Sequence, residues 1–149
     1  MGNALFYHLT RSPAEQLLPI LIGKSLQAGW RVELRGTHAT RLDRLDLHLW
    51  QGSGFLPHGL AGGPHDERQP VLLTRVGQPA TNRPECLMAL DGAEVDPSEC
   101  PPLQRCCIIF DGGDSQATAH ARGQWKKLTA AGITAEYWSE ESGRWERKR

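Results

Sequence analysis

Three runs in the middle of the chain, VLLTRV (71–76), ECLMALDG (85–92) and CCIIFD (106–111), are apolar nearly throughout instead of alternating. A strand with one wet face alternates polar and apolar residues, whereas one that is apolar on both sides has to be covered on both sides. That is the situation of a parallel sheet between layers of helices. Helical patterns flank these runs at the right places. SPAEQLLPILIGKSLQAG carries Leu17, Leu18, Leu21, Ile22 and Leu26 at helical spacing and stops at Ala28-Gly29; Ser12, Pro13 and Glu15 read as a capping box at its start, and Pro19 is expected to bend it. THATRLDRLDLHLW places Leu42, Leu45 and Leu49 on one stripe running up to Trp50. DGGDSQATAHARGQWKKLTAAGI reads as a strand-to-helix turn and a helix closed at Gly132. NALFYHL (3–9) and WRVELRG are further strands, and TAEYWSEESGRWERKR is a last strand or hairpin with a loose basic end. The order specifies a three-layer α/β/α fold with a mostly parallel sheet. Its 149 residues suit a single domain, with 51–70 and 145–149 as the mobile segments.

Charge narrows the partners. Seventeen basic and seventeen acidic side chains give no net charge, so no overall field exists to hold nucleic acid or an anionic membrane; little direct DNA binding is expected. LLPILIG is far too short to span a bilayer, and the amino end lacks a charged segment followed by an apolar one, so the expected location is the cytosol. Phe6 stands where a myristoylation signal wants Ser or Thr. Cys86, Cys100, Cys106 and Cys107 contain no CxxC pair, which points to reduced, mostly buried thiols and no metal.

Several segments invite chemistry. Gly23-Lys24-Ser25 matches the tail of a phosphate-binding loop, but Leu18 stands where the first glycine belongs and the tripeptide lies deep in a helix. Asp111-Gly-Gly-Asp114 follows a strand and opens a helix, where α/β sheets bind ligands; its two carboxylates would repel a phosphate without a cation, so a helix cap competes with a nucleotide or metal site. His58 and His65 lack a neighbouring Ser or Cys with an orienting group, and read as hydrogen-bonding loop residues, as do His8, His38, His48 and His120. An enzyme handling phosphate or nucleotide through Asp111–Asp114 and His58 is the alternative reading. No cofactor is expected. Trp50 and Phe55 border glycines, where local backbone buries them poorly. Trp125 lies three residues after Arg122, on one helix face; a ring beside a guanidinium suits a ligand ending in a hydrophobic side chain and a carboxylate, while ordinary packing on the sheet is the plainer alternative.

NALFYHL, AEQLL, AGWRVEL, RLDRLDLHLW and above all FLPHGLAG resemble the chi subunit of bacterial DNA polymerase III, in the same order over nearly the whole chain. The resemblance implies an α/β/α fold related to mononucleotide-binding folds but without a nucleotide site. It also implies a non-catalytic adaptor that joins the clamp-loader complex through the small psi subunit and binds the acidic C-terminal tail of single-stranded DNA-binding protein. It maps psi docking onto Trp50 and Phe55, with Pro57 and His58 fixing the loop, and tail binding onto Arg122 and Trp125. A lysine one turn before the arginine in the familiar pattern falls at Thr118, and Lys126 or Lys127 is the available substitute.

Overall fold

The structure, a computed structural model, describes residues 2–51 and 57–149. β1 (Asn3–Leu9) leads through α1 (Ala14–Gln27) to β2 (Val32–Gly36), and α2 (Ala39–Gln51) precedes the two-residue β3 (Gly59–Leu60). β4 (Val71–Arg75), β5 (Cys86–Ala89) and β6 (Arg105–Asp111) follow, then α3 (Ser115–Ala130), β7 (Ala135–Ser139) and β8 (Glu146–Arg147). The strands lie in the order β3-β4-β2-β5-β6-β1-β7-β8. Neighbours are parallel except β7 with β8.

The unbroken apolar runs are explained by two cores, one on each face of this sheet. Cys86, Met88, Cys107 and Ile109 pack with Leu5, Tyr7 and Leu9 against α1 and α2. The intervening residues Leu87, Ala89, Cys106, Ile108 and Phe110 pack with Ala4 and Phe6 against Ala121 and Leu128 of α3. Side chains of a strand alternate between faces, so only a strand apolar at every position can serve both cores. All four cysteines are buried and unbridged.

The start of α1 departs from the expected capping box. The helix begins after Pro13, which has no side chain that can cap, and Ser12 makes no cap bond. Instead, the buried Glu140 carboxylate, just past β7, accepts the amides of Thr10, Arg11 and Ser12 at 3.1, 2.6 and 2.6 Å. Glu140 thereby holds the Ser12 amide, the donor that the Glu15 side chain would take in a capping box. Glu15, free of any cap role, meets Arg41 of α2 at 2.8 Å. α1 runs on through Pro19, whose missing N–H leaves the Glu15 carbonyl without its helical donor. His48 of α2 supplies one, with Nε2 at 3.0 Å from that oxygen.

The basic end is not left loose beside the sheet. Beyond β8 the Lys148 amide donates to the Tyr137 carbonyl at 2.6 Å, and the Tyr137 amide donates to that of Arg149 at 3.3 Å. The chain therefore keeps to the β7 edge up to its last described residue.

Candidate functional site

A cleft of about 470 Å³ opens between α3 and the β6-β1-β7 part of the sheet. Parallel register builds its floor: His8 is paired with Phe110 and Phe6 with Tyr137, so these four side chains project to the same face. The His8 ring stacks on Phe110 at 5.0 Å, and Trp125 meets Phe6 edge-on at 5.2 Å and Tyr137 at 6.2 Å. The Tyr137 hydroxyl and His8 Nδ1 are hydrogen-bonded. Burial pushes the phenol pKa up, against the opposing pull of Arg122 and Arg149.

All four residues of α3 assigned from sequence, Thr118, Arg122, Trp125 and Lys126, line this cleft. Their spacing gathers them on one helical face. Trp125 is half-buried: it packs on the sheet, as the plainer reading requires, and it also walls an open cleft beside Arg122. Lys127 points elsewhere, 3.6 Å from Glu94. Lys148 and Arg149 complete the rim, and the Arg149 guanidinium lies 6.0 Å from the Trp125 ring centre. Among the described residues, the lining thus holds Arg122, Lys126, Lys148 and Arg149 and no Asp or Glu. Among the described residues, Arg122, Lys126 and Arg149 make no ion pair. An apolar floor under a rim of four cations, three of them without an ion pair among the described residues, suits an anionic, partly apolar ligand.

Sequence reasoning found the helical wall and missed the other. Phe6, His8 and Phe110 carry a period-two signal, but which strand neighbours which is not written in any local stretch. Lys148 and Arg149 read as a loose basic end, because the hairpin reading of this segment does not say how far its pairing with β7 extends.

The second predicted surface lies across the molecule. Trp50 ends α2 with about half its surface exposed (48%), its ring 4.2 Å from that of His58. His58 is buried, with Nε2 3.0 Å from the Asp46 carbonyl and 3.1 Å from its carboxylate. These contacts fasten the Pro-His segment to α2. Pro57 is half-buried, and Phe55 lies outside the described residues.

A larger crevice, about 620 Å³, sits at the carboxyl ends of β1, β5 and β6, where α/β folds hold nucleotides. Its groups are already committed. Asp114 caps α3 through the amides of Gln116 and Ala117, Asp111 accepts the Gly113 amide at 2.8 Å, and Arg41 is held between Glu15 and Asp91. The amides that would cradle a phosphate are bonded to carboxylates that would repel it. Gly112 is there for a different neighbour: a Cβ would lie 2.0 Å from His8 Nε2. Gly23-Lys24-Ser25 lies inside α1, with the Ser25 hydroxyl bonded back to Leu21. No group of three or more metal-ligating side chains occurs among the described residues. Nor is any helix among them long and apolar enough to cross a membrane.

No curated protein sequence matches the chain. The family model described as DNA polymerase III chi subunit, HolC, matches residues 1–136 and so takes in the sheet up to the start of β7, both helical layers, the α2 end with its Pro-His segment, and the α3 wall of the cleft. On that match, the chain belongs to the DNA polymerase III chi subunit family.

Proposed function

We propose that the protein is a non-catalytic accessory subunit acting in the cytoplasm, joined to the clamp-loader complex through a psi-type subunit and binding the acidic C-terminal tail of single-stranded DNA-binding protein in the cleft under α3. The observation that carries this reading is that Arg122 and half-exposed Trp125 line one cleft over a floor of Phe6, Phe110 and Tyr137, with four cations and, among the described residues, no Asp or Glu in its lining. The terminal apolar side chain of a tail enters against the aromatic floor, worth about 1.5–3 kcal/mol for a fully buried Phe. Its α-carboxylate pairs with Arg122, and exposed cations add about 0.2–1 kcal/mol each. Lys126 takes part of the place left by Thr118. The psi-type partner docks on the α2 end, through Trp50 and Phe55, on a loop that Pro57 and His58 shape.

The test is fluorescence anisotropy with a labelled peptide ending in acidic residues and Pro-Phe with a free carboxylate. Saturable binding is expected, with Arg122→Ala weakening it at least fivefold at low salt. If that variant binds within twofold of the unchanged protein, the pocket assignment is wrong.

A further inference from the structure

The family match ends at residue 136, one position before Tyr137, so Tyr137, Lys148 and Arg149, which close the cleft on the side of the sheet edge, lie beyond it. Here the chain turns back after β7, and the segment past β8 is tied to Tyr137 by backbone bonds in both directions. Lys148 and Arg149 thereby stand on the rim given by the sheet edge, while Arg122 and Lys126 stand on the rim given by α3. Arg149 has no carboxylate within 4.0 Å among the described residues; Lys148 has only Glu146, at 3.8 Å. Arg147, the residue before them, does not line the cleft: its Nε donates to the Arg149 carbonyl at 2.9 Å and lies 3.9 Å from Glu136. The rim of the sheet edge is thus made by the two cations that follow β8 and not by the one within it.

We infer that Lys148 and Arg149 form a second anionic subsite, which takes the carboxylate side chains preceding the apolar terminus of a bound acidic peptide. The inference rests on the reading of the cleft given above. On the helical side α3 presents the uncharged Thr118 one turn before Arg122, so that rim carries two cations, Arg122 and Lys126. An extended ligand sends successive side chains to opposite sides. Acidic residues upstream of a seated terminus therefore face α3 and the sheet edge in turn, and each side meets two cations. The subsite lies in a part of the chain whose sequence the family match does not cover, so it is a property of this chain's own β7–β8 ending.

Two labelled peptides separate the subsite from the pocket. One carries aspartates before Pro-Phe; the other carries asparagines at those positions. The unchanged protein is expected to prefer the acidic peptide, and Lys148→Ser/Arg149→Ser to lose about three- to tenfold of affinity for it while binding the asparagine peptide as before. Arg122→Ala weakens both peptides. Arg149→Glu, which keeps the backbone pairing and changes the rim charge by as much as the double variant, is expected to reduce the preference to a similar extent, and circular dichroism checks that each variant is folded. If the double variant keeps the unchanged protein's preference within twofold while Arg122→Ala loses both peptides, the subsite is overturned and the pocket stands. If the unchanged protein binds neither peptide, the pocket reading fails and the subsite with it.

Discussion

Gly112 shows how a single missing side chain shapes the cleft. Its amide donates to the Leu9 carbonyl at 2.7 Å, and any Cβ would strike both His8 Nε2, at 2.0 Å, and that same carbonyl, at 2.8 Å. The second clash is with backbone, so rotation of His8 does not relieve it. Gly112→Ala is expected to cost about 1–3 kcal/mol by urea denaturation, and to weaken peptide binding because His8 carries the contacts to Phe110 and Tyr137. Glu140 acts at the opposite extreme, through charge. Burial raises its pKa, but the amides of Arg11, Ser12 and Thr10 outweigh that and hold it below the usual carboxylate value. A carboxyl whose folded pKa is depressed stabilises the protein above its unfolded pKa of about 4.3, and that stability is lost as pH falls through the folded value. Glu140→Gln is therefore expected to cost about 1–3 kcal/mol at pH 7, with the gap to the unchanged protein narrowing below about pH 4. A gap that stays constant from pH 7 to pH 3 would show that the ionised form is not what binds the three amides. Neither role is legible in the sequence. Glu140 is 128 to 130 positions from its donors, and it displaced a capping box that local pattern made plausible.

At the scale of elements the pattern was legible where burial dictated it. The stripe Leu42, Leu45 and Leu49 fixes α2, and runs apolar at every position fix β5 and β6, because no half-wet environment tolerates them. β3 was not legible: two residues carry no periodicity, and they form a strand only because β4 offers an edge. The cleft divides in the same way. Its α3 wall follows from spacing within one helix, and its sheet wall depends on β1 lying between β6 and β7. Pro19 makes a further between-element bond that no pattern announces, since the carbonyl it orphans is filled by His48 of another helix. His48→Ala is expected to cost about 0.5–1.5 kcal/mol, and less in a Pro19→Ala background, where the substituted residue brings its own N–H to the Glu15 carbonyl. A double-mutant cycle by thermal or urea unfolding reads that coupling, and strict additivity would mean that the bond contributes nothing.

The whole molecule has no net charge, yet its cations are not evenly spread: four of them rim one cleft, and the crevice at the strand ends is rich in carboxylates. In the proposed reading recognition is local, and peptide binding is expected to weaken with salt even though the protein as a whole exerts no long-range pull. The architecture also separates the two surfaces. α2 packs on the sheet face opposite α3, and its neighbour β4 is four strands away from β1 in the sheet. At about 4.8 Å per strand that is about 19 Å sideways, on top of the thickness of the sheet. Sites this far apart with no shared partner couple by no more than about 0.3–0.5 kcal/mol. The adaptor role proposed above needs this independence, because such a protein must hold one partner while another comes and goes. Trp50→Ala, which removes a half-exposed side chain at the α2 end, is thus expected to leave affinity for the acidic peptide within about twofold in the anisotropy measurement that Arg122→Ala fails. A loss of tenfold or more would mean that the sheet transmits strain between its faces, and that occupancy of one surface tunes the other.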